Sequence, residues 1–155
     1  MGTTRLPTDF AEFLRSLRSN GVEYLLVGGY AVGLYGYPRA TADIDVWVRR
    51  TPENARRVVA AIRAFGFGVP ALSPDLVMKP DQVVRMGLPP LRIEILTSVS
   101  GVEFEECWPS REEMLLDGEP VFLPSLSDLR RNKAASGRPK DLEDLKHLPT
   151  SSPSR

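Results

Sequence analysis

The sequence predicts an α+β domain, a small mixed β-sheet flanked by helices and completed by a short C-terminal helical pair. Three observations lead there. Leu25 to Val48, LLVGGYAVGLYGYPRATADIDVWV, reads as an apolar strand, a Gly-Gly turn, a short helix, a polar loop and a second strand. Leu91 to Leu96, LRIEIL, alternates as a further strand. Residues 125–148 read as two helices broken at Gly137. At 155 residues the chain suits one domain, placed at 1–148, with PTSSPSR at 149–155 as a disordered tail.

The elements follow in order. Thr8 or Asp9 is positioned to cap a first helix running to about Ser19, with Phe10, Phe13, Leu14 and Leu17 on one face. Asn20-Gly21 ends it. Val22 to Val27 is near-continuously apolar, as a strand buried on both faces is. Tyr30 to Tyr35 forms the short helix, and Gly36-Tyr37-Pro38 breaks it. Thr51-Pro52-Glu53 starts a helix with a capping hydroxyl, a proline in the first turn and an acid at the positive end of the dipole; Gly66 stops it after Phe65. Gly66 to Pro80 is Pro-rich and predicts one helical turn around Asp75 to Val77. Gln82 to Met86 reads as a short strand, Gly87 to Pro90 as a turn, and Ser100-Gly101-Val102 as another turn. A short helix around Glu103 to Cys107 and a strand at Val121 to Leu123 precede the helical pair, whose first member is capped by Ser125 or Ser127.

The chemistry concentrates at Asp43 and Asp45. Aspartate is depleted from strands, and an unpaired buried charge is costly, yet here two sit in an apolar run between Ala42, Ile44 and Val46. Side chains at i and i+2 of a strand share a face. Two carboxylates on one face suit a hard cation such as Mg²⁺ (or Mn²⁺). Gly28 and Gly29 offer bare backbone N–H groups at a strand-to-helix turn, where anions are favoured. The plainer alternatives are a tight turn at the glycines, a local cap at Asp43, and pairing of Asp45 with Arg39 or Arg49. On the LRIEIL strand, Arg92 and Glu94 share one face and Leu91, Ile93 and Ile95 the other. Glu94 is a candidate third carboxylate; the alternative is an ion pair with Arg92 or Arg85.

Gly28-Gly29, thirteen residues, then Asp43-Ile44-Asp45 resembles the signature of the nucleotidyltransferase superfamily that includes DNA polymerase beta. Arg39 and Thr41 extend the match to the Arg-x-Thr-x-Asp-x-Asp form of small bacterial members. Ser125 to Leu145, SLSDLRRNKAASGRPKDLEDL, is similar to the C-terminal helical signature of small nucleotidyltransferases of the abortive-infection (AbiEii-like) kind, through Lys133, Gly137, Arg138, Lys140 and Asp141. The resemblance implies a nucleotidyltransferase fold with catalytic and metal-holding Asp43, Asp45 and Glu94. It implies nucleotide binding by Gly28, Gly29, Arg39, Thr41, Lys133 and Lys140. Small relatives more often carry Asp where this chain has Glu94. Both lysines also read as a solvated helix face.

The implied activity is Mg²⁺-dependent transfer of a nucleoside monophosphate from ATP or another NTP to an acceptor. tRNA or a protein is the expected acceptor, in a toxin–antitoxin or phage-defence setting with a cognate toxin or antitoxin partner. The alternatives are an antibiotic nucleotidyltransferase of the lincosamide or aminoglycoside type, and a non-catalytic nucleotide-binding interaction protein. Twenty basic and twenty acidic residues cancel, so no global field draws the chain to nucleic acid, though a local patch would serve a tRNA end. No apolar run approaches a membrane span and no signal-peptide core is present, so a cytoplasmic location is expected. The single Cys107 excludes an internal disulfide and reads as a half-buried apolar residue rather than a catalytic thiol.

Overall fold

The computed structural model describes residues 5–66, 72–87 and 90–150. Helix α1 (Thr8–Ser19) buries Phe10, Phe13, Leu14 and Leu17, the stripe that its sequence sets at i, i+3, i+4 and i+7. Its N-cap is Pro7, with no side-chain cap hydrogen bond, so Thr8 and Asp9 fall inside the first turn rather than capping it. Strand β1 (Tyr24–Val27) is buried throughout. It passes directly into α2 (Gly28–Leu34), which starts two residues earlier than Tyr30, with Gly28 at a positive φ of 73° where the strand turns into the helix.

Strand β2 (Asp43–Val48) leads to α3 (Pro52–Phe65). Thr51 Oγ1 accepts from Asn54 N at 3.2 Å, and Gly66 closes the helix in the left-handed region. Asn54 is itself buried, and its amide ties two strands together. Its Oδ1 accepts from Glu23 N at 2.7 Å, while Nδ2 donates to Glu23 O at 3.0 Å and Arg49 O at 2.9 Å. The stretch expected to resist assignment holds α4 (Pro74–Met78), capped by Ser73; residues 67–71 lie outside those described, as do Leu88-Pro89 of the expected turn and 151–155 of the expected tail.

Strands β3 (Val83–Met86) and β4 (Arg92–Leu96) complete a four-stranded sheet ordered β1-β2-β4-β3. The central β2–β4 pair is parallel and both flanking pairs are antiparallel. A short helix α5 (Phe104–Cys107) runs into a 3-10 turn at Trp108–Ser110. There follows a hairpin that the sequence reading did not foresee in full, β5 (Glu112–Leu116) with β6 (Glu119–Leu123). Asp117 and Gly118, both at positive φ, form its two-residue turn. Helices α6 (Leu126–Ser136) and α7 (Pro139–His147) end the described chain, separated by Gly137 at φ 65°. Ser125 Oγ accepts from Asp128 N, so Ser125 rather than Ser127 is the cap.

The pleat sorts the sheet into two unlike faces. Leu26, Ile44, Val46, Val48, Ile93 and Ile95 belong to the main core, which α1 and α3 cover. Leu25, Val27 and Trp47 point the other way, into a smaller cluster with Phe104 and Cys107. Cys107 is fully buried there, not half-buried, and burial pushes its thiol up to about 12, with Asp128 adding to the effect. No helix among the described residues is long and apolar enough to cross a membrane.

Candidate functional site

The second face of the sheet changes character along β2. Trp47 lies under Phe104 at a ring separation of 5.1 Å, whereas Asp45 and Asp43, two and four residues back on the same face, open into a cleft of about 480 Å³. Strand register brings the third acid in. Asp45 pairs with Glu94 across the parallel β2–β4 ladder, and Val27 pairs with Asp45 from the other side. Asp43, Asp45 and Glu94 therefore line one cleft, as their spacing and face assignment anticipate.

Asp45 is held near its protonation point. Burial first, then a hydrogen bond with Glu94 and the charges of Glu94 and Asp43, push it from 3.8 up to about 7; Lys140 opposes them. Glu94 also accepts from Arg85 Nε at 3.0 Å, so the ion-pair alternative for Glu94 holds together with its place beside Asp45. Gly28 explains itself here. A Cβ at Gly28 would lie 2.2 Å from Asp45 Oδ2, so the absent side chain makes room for the carboxylate.

Gly29, Arg39 and Thr41 sit behind the turn rather than in the cleft. A Cβ on Gly29 would stand 3.0 Å from Thr41 Cβ and 3.2 Å from Arg39 Nη1. Thr41 Oγ1 donates to Asp43 O at 3.0 Å and accepts from Asp43 N at 3.3 Å. Arg39, expected at the nucleotide, instead grips Asp144 through Nε at 2.8 Å and Nη2 at 2.9 Å.

The opposite wall comes from α6 and α7. Lys133 lines the cleft but is only 3% exposed, and neither the phosphate role nor the solvated-face alternative describes its surroundings. Its Nζ lies 3.0 Å from Asp141 Oδ1 and 3.1 Å from Asp144 Oδ2. Asp141 also accepts from Ser136 Oγ and Arg138 Nε, both at 2.7 Å. Burial works against the charge on Asp141, but Arg138, Ser136 and Lys133 outweigh it and hold the carboxyl well below its ordinary range. Arg138 and Lys140 both line the cleft, and the charges of Asp45 and Glu94 add to the hold that Asp141 keeps on the Arg138 proton. Arg138, not anticipated as a site residue, was visible in the Gly-Arg-Pro-Lys-Asp run. Asp144, three positions beyond Asp141, carried no local signal.

Among the described residues, no three His, Cys, Asp or Glu side chains converge as a finished metal cage. The expectation of a three-carboxylate cage at Asp43, Asp45 and Glu94 is corrected to that extent: Asp45 pairs in register with Glu94, and Asp43 acts on Asp45 through its charge. Hard, crowded carboxylate oxygens still fit a cation that takes one or two protein ligands and fills its other positions with phosphate oxygens and water.

Two solved structures share the fold. An antigenic nucleotidyltransferase-like protein from Paracoccidioides brasiliensis superposes with a TM-score of 0.53 at 18% identity, over 93% of this chain and 77% of that one. A candidate nucleotidyltransferase from Thermotoga maritima superposes with a TM-score of 0.54 at 14% identity, over 87% of this chain and 86% of that one. No curated protein matches the chain. A family model described as nucleotidyltransferase of unknown function (DUF6036) matches residues 6–149, and the chain belongs to that family.

Proposed function

We propose that the protein is a divalent-metal-dependent nucleotidyltransferase that moves a nucleoside monophosphate from an NTP to an acceptor hydroxyl, with tRNA or a protein as acceptor in a toxin–antitoxin or phage-defence setting. The observation that carries the reading is the register pairing of Asp45 with Glu94, beside Asp43, over a glycine that leaves space for the carboxylate. Asp43 and Asp45 would hold Mg²⁺ or Mn²⁺, with Glu94 beside them. Such an ion supplies charge neutralisation on the triphosphate and lowers the pKa of an attacking hydroxyl.

The chain's own residues do the rest. The acceptor oxygen bonds to the α-phosphorus as the bond from that phosphorus to the α–β bridging oxygen breaks, and pyrophosphate leaves with the bonding electrons. Glu94, on the acidic wall, takes the hydroxyl proton. Lys140 and Arg138, on the basic wall, face the charge of the leaving group as preorganised cations. Lys133 is buried between Asp141 and Asp144, so the exposed Lys140 takes that role, together with Arg138, which pairs with Asp141 but is itself exposed. The backbone of Gly28 lies at the acidic wall to orient phosphates.

The test is label transfer from each of four radiolabelled NTPs with Mg²⁺, in parallel with total tRNA and with a protein lysate, using Asp45→Asn as control. Label entering RNA or a protein band with wild type alone supports the reading and names the acceptor class. Equal transfer by Asp45→Asn refutes it.

A further inference from the structure

One ion network joins three segments remote in sequence. Asp144 on α7 has two cationic partners, Arg39 through a two-point contact and Lys133 at 3.1 Å, and its side chain is 2% exposed. Lys133 passes the network to Asp141, which Arg138 and Ser136 also engage. Arg39 is half-buried, and its Nη1 lies against Gly29 so closely that a Cβ there would be 3.2 Å away. Thr41, beside it, holds both peptide groups of Asp43. Tyr37, at the head of the same loop, stacks on His147 of α7 at 4.1 Å. The loop between α2 and β2 is thus fastened to α7 at two points, and it presses on the glycine turn and on the first acid of the site.

We propose that Asp144 is a positioning residue for the nucleotide site, fixing Arg39 from α7 and, through Arg39, the Gly28-Gly29 turn and the entry of Asp43 into its strand. The inference rests on the nucleotidyl-transfer reading. A guanidinium is a planar fork, and a two-point carboxylate contact fixes its orientation as well as its place. Gly29 has no side chain to space the loop from the turn, so Thr41 and the Arg39 guanidinium pack directly against it, and the orientation of Arg39 helps to set that spacing. Lys133 lets Asp144 remain charged at this depth, which a carboxylate with one partner and no water would resist. Asp144 touches no reacting atom. It acts as an outer partner that holds the groups touching substrate in place, a type of residue whose loss commonly weakens a site without dismantling it.

The experiment measures calorimetric binding of each of ATP, GTP, CTP and UTP, in the presence of Mn²⁺, to the full chain, then follows the tightest nucleotide in Asp144→Asn, Arg39→Lys, Arg39→Gln and the double variant Arg39→Gln/Asp144→Asn. Asp144→Asn and Arg39→Lys are each expected to weaken binding by about 10–100-fold, with an unchanged circular dichroism spectrum. The double variant should lose no more than the weaker-binding of Asp144→Asn and Arg39→Gln, because both act through one contact. The Mn²⁺ electron paramagnetic spectrum of the nucleotide complex should broaden in each variant, which a purely structural loss would not produce. Wild-type affinity in Asp144→Asn with only a lower Tm overturns the proposal, as do additive losses in the double variant. Should Asp144→Asn fail to fold, Arg39→Lys decides, since Asp144 there keeps Lys133, and undiminished binding overturns the proposal. If wild type binds none of the four nucleotides, the nucleotidyl-transfer reading itself fails, a result distinct from tight wild-type binding that Asp144→Asn leaves unchanged.

Discussion

Asp45 and Glu94 face each other in register across the parallel pair at the centre of the sheet, and the Glu94 carboxyl adds to the burial that raises the Asp45 pKa. Their strands fix this register, and Gly28, at the end of the neighbouring strand, leaves room for the Asp45 carboxylate. Two acids in this arrangement cost stability when both are charged, and that cost is measurable.

Asp45→Asn should therefore stabilise the metal-free protein. The folded state holds the Asp45 proton at about 7 against 3.8 ordinarily, so it binds more protons than the unfolded chain between those values. Stability is accordingly lost as pH rises through that window, and the full penalty is present above it. In EDTA at pH 8 the variant should gain on the order of 4 kcal/mol; the gain should shrink towards pH 5. Urea unfolding across pH gives the answer, and a variant less stable than wild type at pH 8 contradicts the assignment of Asp45 as a strained acid.

Asp141 behaves in the opposite sense. Its folded pKa, like that of Asp144, is depressed, so its contribution is present above the ordinary 3.8 and disappears as pH falls through the lower folded value. Asp141→Asn should cost about 3–5 kcal/mol at neutral pH, the scale for breaking a buried ion pair. The variant's acid limb should also flatten. Thermal melts from pH 2 to pH 7 on both proteins test the magnitude and the slope.

The glycines give a graded series. Gly118 has open space around it, so Gly118→Ala should cost only the left-handed backbone strain of about 1–2 kcal/mol. Gly101→Ala puts a Cβ 2.3 Å from Ala135 Cβ on α6 and should cost more. Gly28→Ala drives a Cβ onto Asp45 Oδ2, so it should also abolish metal-dependent nucleotide binding while Gly118→Ala leaves binding intact. Melting temperatures paired with calorimetry separate these three outcomes.

Glu94→Gln retains the size of the side chain and removes its basicity. In the transfer assay it should lower kcat by about 10²–10⁴-fold, the usual contribution of a positioned base, with a smaller change in nucleotide KM. Arg85→Gln, which removes only the partner on the exposed side, should leave kcat within about tenfold. Equal losses in the two variants would place Glu94 in a structural ion pair alone.

Much of this arrangement was legible in the chain. Thr51, Gly66, Ser125 and Gly137 announce helix ends through backbone chemistry that is local, and all four act as read. The shared face of Asp43, Asp45 and Glu94 follows from the two-residue period of strands once β2 and β4 are placed. The β5 strand was missed although Asp117-Gly118 is a strong hairpin turn. Its Glu112, Glu113 and partly exposed Met114 weaken the apolar alternation, and Leu115 points outward at 66% exposure. Arg39 and Lys133 were misplaced for another reason. Their partners, Asp144 for both and Asp141 for Lys133, are decided by how α7 packs, and Arg39 meets Asp144 across 105 positions of sequence. No local pattern encodes that distance.

That separation has a consequence for the nascent chain. β1, β2 and β4 all precede α7 in the chain, so the strands that carry the acids are made before the helix that carries Asp144. Until Asp144 emerges, Arg39 lacks its anchor and the loop above the glycine turn is unfastened. The α2–β2 loop therefore gains its anchor only once α7 has been made, later than the strands that it borders.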